Sequence, residues 1–321
     1  MPKAILADRA GGPEVLRLRD VERPVAGSGD LLIEVSGVGV NFIDTYRRGG
    51  VYPVPFPFTP GEEAAGRVVE IGPDVTGFAI GDRVATAEGS RTYAEFAVVP
   101  AARALRVPEG VDDETAAAIP LQGMTAHYLS SSVYPARPGE WALVHAGAGG
   151  TGLLLTQMLK NRGVSVITTV STDEKAQLSR AAGADEVIDY DGFPERVREI
   201  TGGAGADVVY DGVGRATFDG SLASLRTRGF LALFGGASGQ VPPFDLQRLN
   251  SGGSLTVTRP TLAHFLLTTE ERRWRATEVF DAVSAGRLKM HIGEVYSLAH
   301  ADRAHADLEG RATTGKLILQ P

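Results

Sequence analysis

The chain has 321 residues, a formal charge of −7, 43% hydrophobic and 22% charged residues, and no cysteine. That balance is ordinary for a folded soluble chain of two domains or one large one, and the acidic excess argues against a general nucleic-acid binder. Disulfides and every thiolate-held zinc are excluded; the charged start, MPKAILADRA, has no apolar segment of a signal peptide, so the cytoplasm is the default location.

Residues 1–123 carry short β-like runs broken by Gly and Pro: KAILA, LLIEVSGVGV, GRVVEIG, DRVATA and YAEFAVV. Such spacing predicts a compact, mostly β domain. NFIDTYRR predicts a helix with Asn41 as N-cap, and VDDETAAAI a second with Asp112, Asp113 and Glu114 at its positive end.

Residues 141–159 contain no Asp, Glu, Lys or Arg, which raises a membrane span. Gly147, Gly149, Gly150 and Gly152 suit instead a backbone that turns tightly and approaches a ligand. WALVH reads as a strand, TGLLLTQMLKNR as a helix and VSVITTV as a strand. DEKAQLSRAAG is a helix closed by Gly183, DEVIDY a strand and FPERVREITGG a helix. ADVVYDGVG is a strand and turn, ATFDGSLASLRTRG a helix, FLALFGG a strand, and GSLTVTR closes the series. Apolar runs alternating with amphipathic helices imply βαβ units, and six strands fit a doubly wound parallel sheet, an α/β fold of the Rossmann type. From residue 265 an amphipathic helix leads through YSLAHADRAHADLEGR to a last strand, GKLILQ, whose texture matches the first zone. The expected division is therefore 1–123 with 265–321, and 124–264.

Residues 147–152 read Gly-Ala-Gly-Gly-Thr-Gly, after a strand and opening a helix. This is the context in which G-x-G-x-x-G binds a dinucleotide: glycines for the turn and close approach, and free N–H groups of a helix start for the pyrophosphate. An NAD enzyme places an acid at the end of the second strand. Here VITTVST has none before Ser171, and Lys175 stands one turn into the next helix. That favours NADPH, although by position alone Lys175 would be a surface lysine.

Several segments together are more specific than the glycine loop: AGGPEVL (10–16), GVNFIDTYRRGGVYP (39–53), PGEEAAGRVVEIG (60–72), FAIGDRV (78–84), HAGAGGTG (145–152), VVYDGVGRATF (208–218), LFGGASG (233–239) and VTRPTL (257–262). They resemble quinone oxidoreductase, the zeta-crystallin-like, zinc-independent branch of the medium-chain dehydrogenase/reductase superfamily, over nearly the whole chain. The resemblance implies a GroES-like, mostly β catalytic domain, a Rossmann NADPH-binding domain, a cleft between them, and a homodimer through the Rossmann sheet edge near SLTVTRP. Zinc-dependent relatives carry a cysteine after the third strand and a Gly-His-Glu motif; this chain reads GVNFID and Gly61-Glu62-Glu63 there, so no metal is expected. By the same resemblance Asn41, Tyr46 and Tyr52 would face nicotinamide and substrate. Gly150, Thr151 and Gly152 would meet the pyrophosphate, and Ser171, Lys175 and Tyr190 the 2′-phosphate end. Gly212 would lie near adenosine, and Phe234, Gly235 and Ser238 near nicotinamide. Arg259 would reach the nicotinamide or its ribose, and Lys316 the phosphates.

Hydride transfer to a quinone needs little acid–base machinery beyond position and field. The oxyanion it leaves would be met by the Asn41 amide and the Tyr46 hydroxyl, with Tyr46 or a water delivering the proton. Asn41 also reads as a plain helix cap, Tyr46 as packing, Tyr52 as the wedge of a Pro-rich loop, Tyr190 as a strand-end cap and Arg259 as an exposed or interface arginine. The six histidines are scattered and read as non-catalytic. The expected partner is a small quinone or enone, with no nucleic acid and no membrane. Two alternatives stay open: an NADPH-dependent alkenal or enone reductase, and an NADPH-binding protein with little catalysis.

Overall fold

The computed structural model describes all 321 residues, in two compact units: residues 1–124 with 266–321, and residues 125–265. The first begins with an antiparallel pair, β1 (Lys3–Leu6) and β2 (Arg17–Asp20). β3 (Asp30–Val40) follows, its Leu31, Ile33, Val35, Val38 and Val40 buried in one core. Then come α1 (Phe42–Arg48), β4 (Glu63–Ile71), β5 (Arg83–Thr86), β6 (Phe96–Pro100), β7 (Leu105–Arg106), α2 (Asp113–Ala118) and α3 (Pro120–Tyr128). Asp112 caps α2, its side chain accepting from the Thr115 N–H.

The second unit is built on β8 (Trp141–Val144), α4 (Gly150–Asn161), β9 (Ser165–Thr169), α5 (Asp173–Ala181), β10 (Glu186–Ile188), α6 (Phe193–Ile200), β11 (Ala206–Asp211), α7 (Phe218–Ala223), β12 (Leu225–Leu233), α8 (Gln247–Ser251) and β13 (Thr256–Thr258). The strands form one parallel sheet in the order β10-β9-β8-β11-β12-β13. This is the doubly wound order, with its reversal between β8 and β11, where open α/β sheets bind ligands. Both faces are covered: β8 reads as an unbroken apolar run, and in β9 Thr168 and Thr169 are buried along with the apolar residues, Leu143, Val144, Val166 and Ile167 being fully buried. α4 buries Leu153, Leu154, Leu155 and Leu159, and the chain leaves it through Gly163 at φ 75°, in the left-handed region that glycine enters freely.

The chain then returns to the first unit through α9 (Thr269–Ser284), β14 (Ile292–Ser297), α10 (Ala301–Gly310) and β15 (Lys316–Gln320). β15 pairs antiparallel with β3, Leu317 facing Val40, so the last strand completes the sheet that the third began. That sheet runs β14-β15-β3-β4-β5-β7, with β6 also on β3.

Besides the short β2, β7 and α8, which the sequence reading does not include, three elements differ from it. The helix expected over 216–229 stops at Ala223, and LRTRG begins β12, because Leu225 pairs with Ala206 and Arg226 Nε donates to Asp207 at 2.5 Å. β14 was not anticipated, since its alternation is short and its partner, β15, lies two elements on. α3 falls where no capping residue announces it, directly after α2.

Candidate functional site

The turn after β8 is assembled by backbone bonds: Gly147 N–H to Thr169 O at 3.0 Å and Gly149 N–H to Ala146 O at 2.9 Å. Ala146 sits at φ 52°, an uncommon conformation for a residue with a Cβ. The glycines are required by contact. A Cβ on Gly147 would lie 2.5 Å from the Thr168 Cβ, and one on Gly152 would lie 2.3 Å from the Ala146 carbonyl oxygen. Gly149 caps α4 without a side chain, so the N–H groups of Gly150, Thr151 and Gly152 stay available at the positive end of a twelve-residue helix. This cradle fits a pyrophosphate: it offers N–H donors and no carboxylate.

The end of β9 carries Ser171, exposed, with the Lys175 ammonium 3.3 Å from its hydroxyl. Thr172 caps α5 through the Lys175 N–H, and Asp173 and Glu174 occupy the first turn. β10 runs alongside, the Val170 N–H bonding Ile188 O at 3.0 Å. Two residues further, the Tyr190 hydroxyl accepts from the Ala146 N–H at 3.0 Å. The structure thus brings Ser171 to Lys175, and Tyr190 to the glycine turn. Beside them lies an open depression of 380 Å³ lined by Ser171, Thr172, Asp173, Arg180 and Asp189 among others. Arg180 was not singled out in the sequence. Its spacing of five from Lys175 gives it no shared face on a helix.

The loops after β11 and β12 bond to one another. Phe234 N–H donates to Asp211 O at 2.9 Å, Ala237 N–H to Gly212 O at 3.2 Å and Ser238 N–H to Val213 O at 2.8 Å. Gly212 and Gly235 are where this packing leaves no room: a Cβ on Gly212 would meet the Phe234 ring at 2.9 Å, and one on Gly235 the Gly212 oxygen at 2.4 Å. The Ser238 hydroxyl donates to Val213 O and accepts from Ala216 N–H, so it holds the loop pair together. Arg259 follows β13, exposed, with a long bond of 3.4 Å to Pro260 O.

In the first unit α1 presents Tyr46 next to Tyr52, ring centroids 6.0 Å apart and edge to face, with Val51 N–H bonded to Tyr46 O at 2.9 Å. Tyr52 is 42% exposed, so its ring is accessible. Asn41 and Lys316 are different. Asn41 Nδ2 donates to Gly39 O at 3.1 Å and to Glu63 Oε2 at 2.8 Å, and its Oδ1 accepts from Lys316 Nζ at 2.6 Å. Lys316 Nζ also donates to Glu63 Oε2 at 2.5 Å, and both side chains are fully buried. The Asn41 amide has two N–H groups and both are committed, so the expected donation to substrate is corrected. The expected phosphate contact of Lys316 is corrected too, since an ammonium with no exposed surface presents nothing to an anion.

Sequence reasoning missed the residues that surround Asn41. The Asp44 carboxylate accepts from the Asn41 N–H at 3.0 Å and from the Tyr93 hydroxyl at 3.2 Å. Tyr93 Oη lies 2.9 Å from His305 Nε2, and His305 Nδ1 lies 3.1 Å from Arg48 Nη1. Arg48 can only donate, so Nδ1 accepts and Nε2 carries the proton toward Tyr93. Burial, reinforced by Arg48, pushes His305 down to about 3, and burial, reinforced by Glu62, raises Asp44 to about 7. Asp44 stands three positions from Asn41, at capping-box spacing, but Tyr93 is 49 positions from Asp44, and His305 and Glu309 meet Tyr93 and Arg48 across 212 to 261 positions, where no sequence signal links them.

Two family descriptions match the chain: an alcohol dehydrogenase GroES-like domain over residues 27–109 and a zinc-binding dehydrogenase domain over residues 150–282. No group of three or more His, Cys, Asp or Glu side chains is placed to hold a metal ion, and no helix is long and apolar enough to cross a membrane. A quinone oxidoreductase of Pseudomonas aeruginosa is 43% identical, over 100% of both chains. A 2-haloacrylate reductase of a Burkholderia species is 39% identical, over 100% of this chain and 99% of its own. A mycobacterial protein solved in complex with NADPH superposes with a TM-score of 0.98 at 54% identity, over 99% of this chain and 100% of its own. The chain belongs to the quinone oxidoreductase family, with a GroES-like unit and a Rossmann-type parallel sheet.

Proposed function

We propose that the chain is an NADPH-dependent quinone oxidoreductase that works without zinc. The carrying observation is the glycine-lined start of α4, open to phosphate, beside a strand end that offers Ser171 and Lys175 and no carboxylate of its own. An acid there would bond a ribose 2′-hydroxyl; a hydroxyl and an ammonium instead suit a 2′-phosphate. Family membership and the mycobacterial relative's NADPH complex support the same reading.

When bound, NADPH supplies the hydride. Gly150, Thr151 and Gly152 would hold the pyrophosphate through their N–H groups, and Ser171 and Lys175 the 2′-phosphate, with Tyr190 fixing the turn between them. Gly212 would lie toward adenosine; Phe234, Gly235 and Ser238 shape the loop bonded to it toward the nicotinamide end, and Arg259 adds a cation beside β13. On the substrate, hydride addition leaves an oxyanion. Tyr46 is the group proposed to donate to it and to pass on the proton, with Tyr52 packed against its ring. Asn41, Glu63 and Lys316 then serve the site by fixing the start of α1.

A second reading is reduction of a C=C bond conjugated to a carbonyl. The 2-haloacrylate reductase relative favours it, and a quinone is itself a conjugated enone. NADPH oxidation followed with p-benzoquinone and with an α,β-unsaturated aldehyde separates the two. The quinone is expected to turn over faster, and no turnover of any quinone with NADPH or NADH would overturn the assignment. A homodimer is proposed through β13, whose outer edge has no partner strand within the chain.

A further inference from the structure

His145 is the first residue after β8 and is 1% exposed. Its main-chain N–H bonds Tyr210 O on β11 at 3.1 Å, at the reversal point of the sheet. Its Nδ1 lies 2.8 Å from the Thr169 hydroxyl at the end of β9, and its Nε2 lies 3.0 Å from the Ser221 hydroxyl on α7. Ser221 donates in turn to Asp211 Oδ2 at 2.8 Å. Ser221 therefore receives the Nε2–H, and Nδ1 accepts from Thr169, so the four groups form one directed chain. Asp211 ends it as a fully buried carboxylate that also takes the N–H groups of Val213 and Gly214 and the hydroxyl of Thr217. The imidazole face stacks on Tyr190, centroids 6.1 Å apart and 15° between planes, and its plane lies at 83° to the Phe193 ring. Burial holds the imidazole down to about 4, which keeps one nitrogen a donor and the other an acceptor near neutrality.

These partners lie at the ends of four neighbouring strands. Thr169 precedes Val170 and Ser171, His145 precedes the glycine turn, Tyr190 follows β10, and Asp211 closes β11. We propose that His145 is a positioning residue of the nucleotide site, setting the glycine turn, the Ser171 end of β9, Tyr190 and the Asp211 loop in register with one another. The inference rests on the reading of this edge as the NADPH site. A side chain that filled the same volume without a donor and an acceptor would leave the Thr169 hydroxyl without its acceptor and Ser221 with only its bond to Asp211, and free the loops to drift.

The test is dinucleotide binding by quenching of intrinsic fluorescence, with steady-state kinetics and thermal unfolding, for wild type, His145→Phe, His145→Gln and Ser221→Ala. His145→Phe keeps a ring and loses both bonds; His145→Gln keeps a donor and an acceptor. The expected result is a rise in NADPH Kd of about tenfold in His145→Phe, as for a lost buried hydrogen-bond partner, with kcat at saturating NADPH changed less than about twofold. Ser221→Ala should move Kd in the same direction by less, and His145→Gln should recover most of the affinity. Lowered thermal stability with an unchanged Kd in both His145→Phe and Ser221→Ala would make His145 a packing residue and overturn the inference alone. If His145→Phe does not fold, Ser221→Ala decides. Failure of the wild-type chain to bind either dinucleotide would overturn the site reading and the inference with it.

Discussion

Lys316 donates to Glu63 across 2.5 Å, and neither side chain has any surface exposed to solvent. Glu63 also accepts from Asn41 Nδ2 and from the Leu121 N–H at 2.7 Å, so its carboxylate is held by three donors from three elements. Burial disfavours the charged form of Lys316, and Glu63 opposes that. Lys316→Met would strand a buried carboxylate, and urea unfolding should show a loss of ~3–5 kcal/mol. Lys316→Met with Glu63→Leu should cost less than the sum of the two single changes, because no unpaired charge remains.

Stability against pH follows from the buried groups of both units. His145 and His305 titrate in the folded chain at about 4 and about 3, below an unperturbed 6.5, so the unfolded chain binds more protons between those values. Their contribution is complete above about pH 6.5 and is lost as pH falls toward 4 and 3. Asp44 acts in the opposite sense. Raised from 3.8 to about 7, it binds its proton more readily when folded, so its contribution grows as pH falls from about 7 to about 4. Glu62, also raised by burial, adds to Asp44 in the same sense, so the fall that the two histidines impose on acidification is opposed over that window. Asp44→Asn removes one opposing proton and should steepen the fall by at most about 1.4 kcal/mol per pH unit, read from urea unfolding at pH 7, 6 and 5. An unchanged slope would show that Asp44 is ionised throughout.

The Tyr46 hydroxyl is the proposed donor to the substrate oxyanion, while its ring packs edge to face on Tyr52. Tyr46→Phe keeps the ring pair and removes the donor. Quinone turnover at saturating NADPH should fall by roughly 10²-fold, with NADPH Kd unchanged. A value within twofold of wild type would transfer the proton to water.

Gly152→Ala should fail where most Gly→Ala changes in helices stabilise. The new Cβ would lie 2.3 Å from the Ala146 oxygen, which accepts the Gly149 N–H of the turn. Either the turn or the α4 start must move, and NADPH binding should drop by about tenfold or more.

What the sequence disclosed was local or periodic. The glycine turn, α4 with its buried leucines, and Thr172 with Lys175 at the start of α5 all follow from neighbours within a few positions. The reach of β12 into LRTRG did not, because the partners of Leu225 and Arg226, Ala206 and Asp207, stand nineteen positions back on another strand. Asn41 shows the same limit at the site. NFIDTY marks it as a helix start, but its amide is claimed by Glu63 and by Lys316, 275 residues away, and neither claim leaves a trace in local spacing. His145 read as a scattered histidine for the same reason: its partners Thr169, Ser221 and Asp211 come from other βα units.

The central claim is that the β9 end reads a 2′-phosphate. Titration of the wild-type chain and of Lys175→Ala with NADPH and with NADH, followed by fluorescence quenching, tests it most directly. Tighter binding of NADPH by the wild-type chain, by about tenfold or more, is expected, with a preference that largely disappears in Lys175→Ala and NADH affinity unchanged. Equal or tighter binding of NADH by the wild-type chain would contradict that claim.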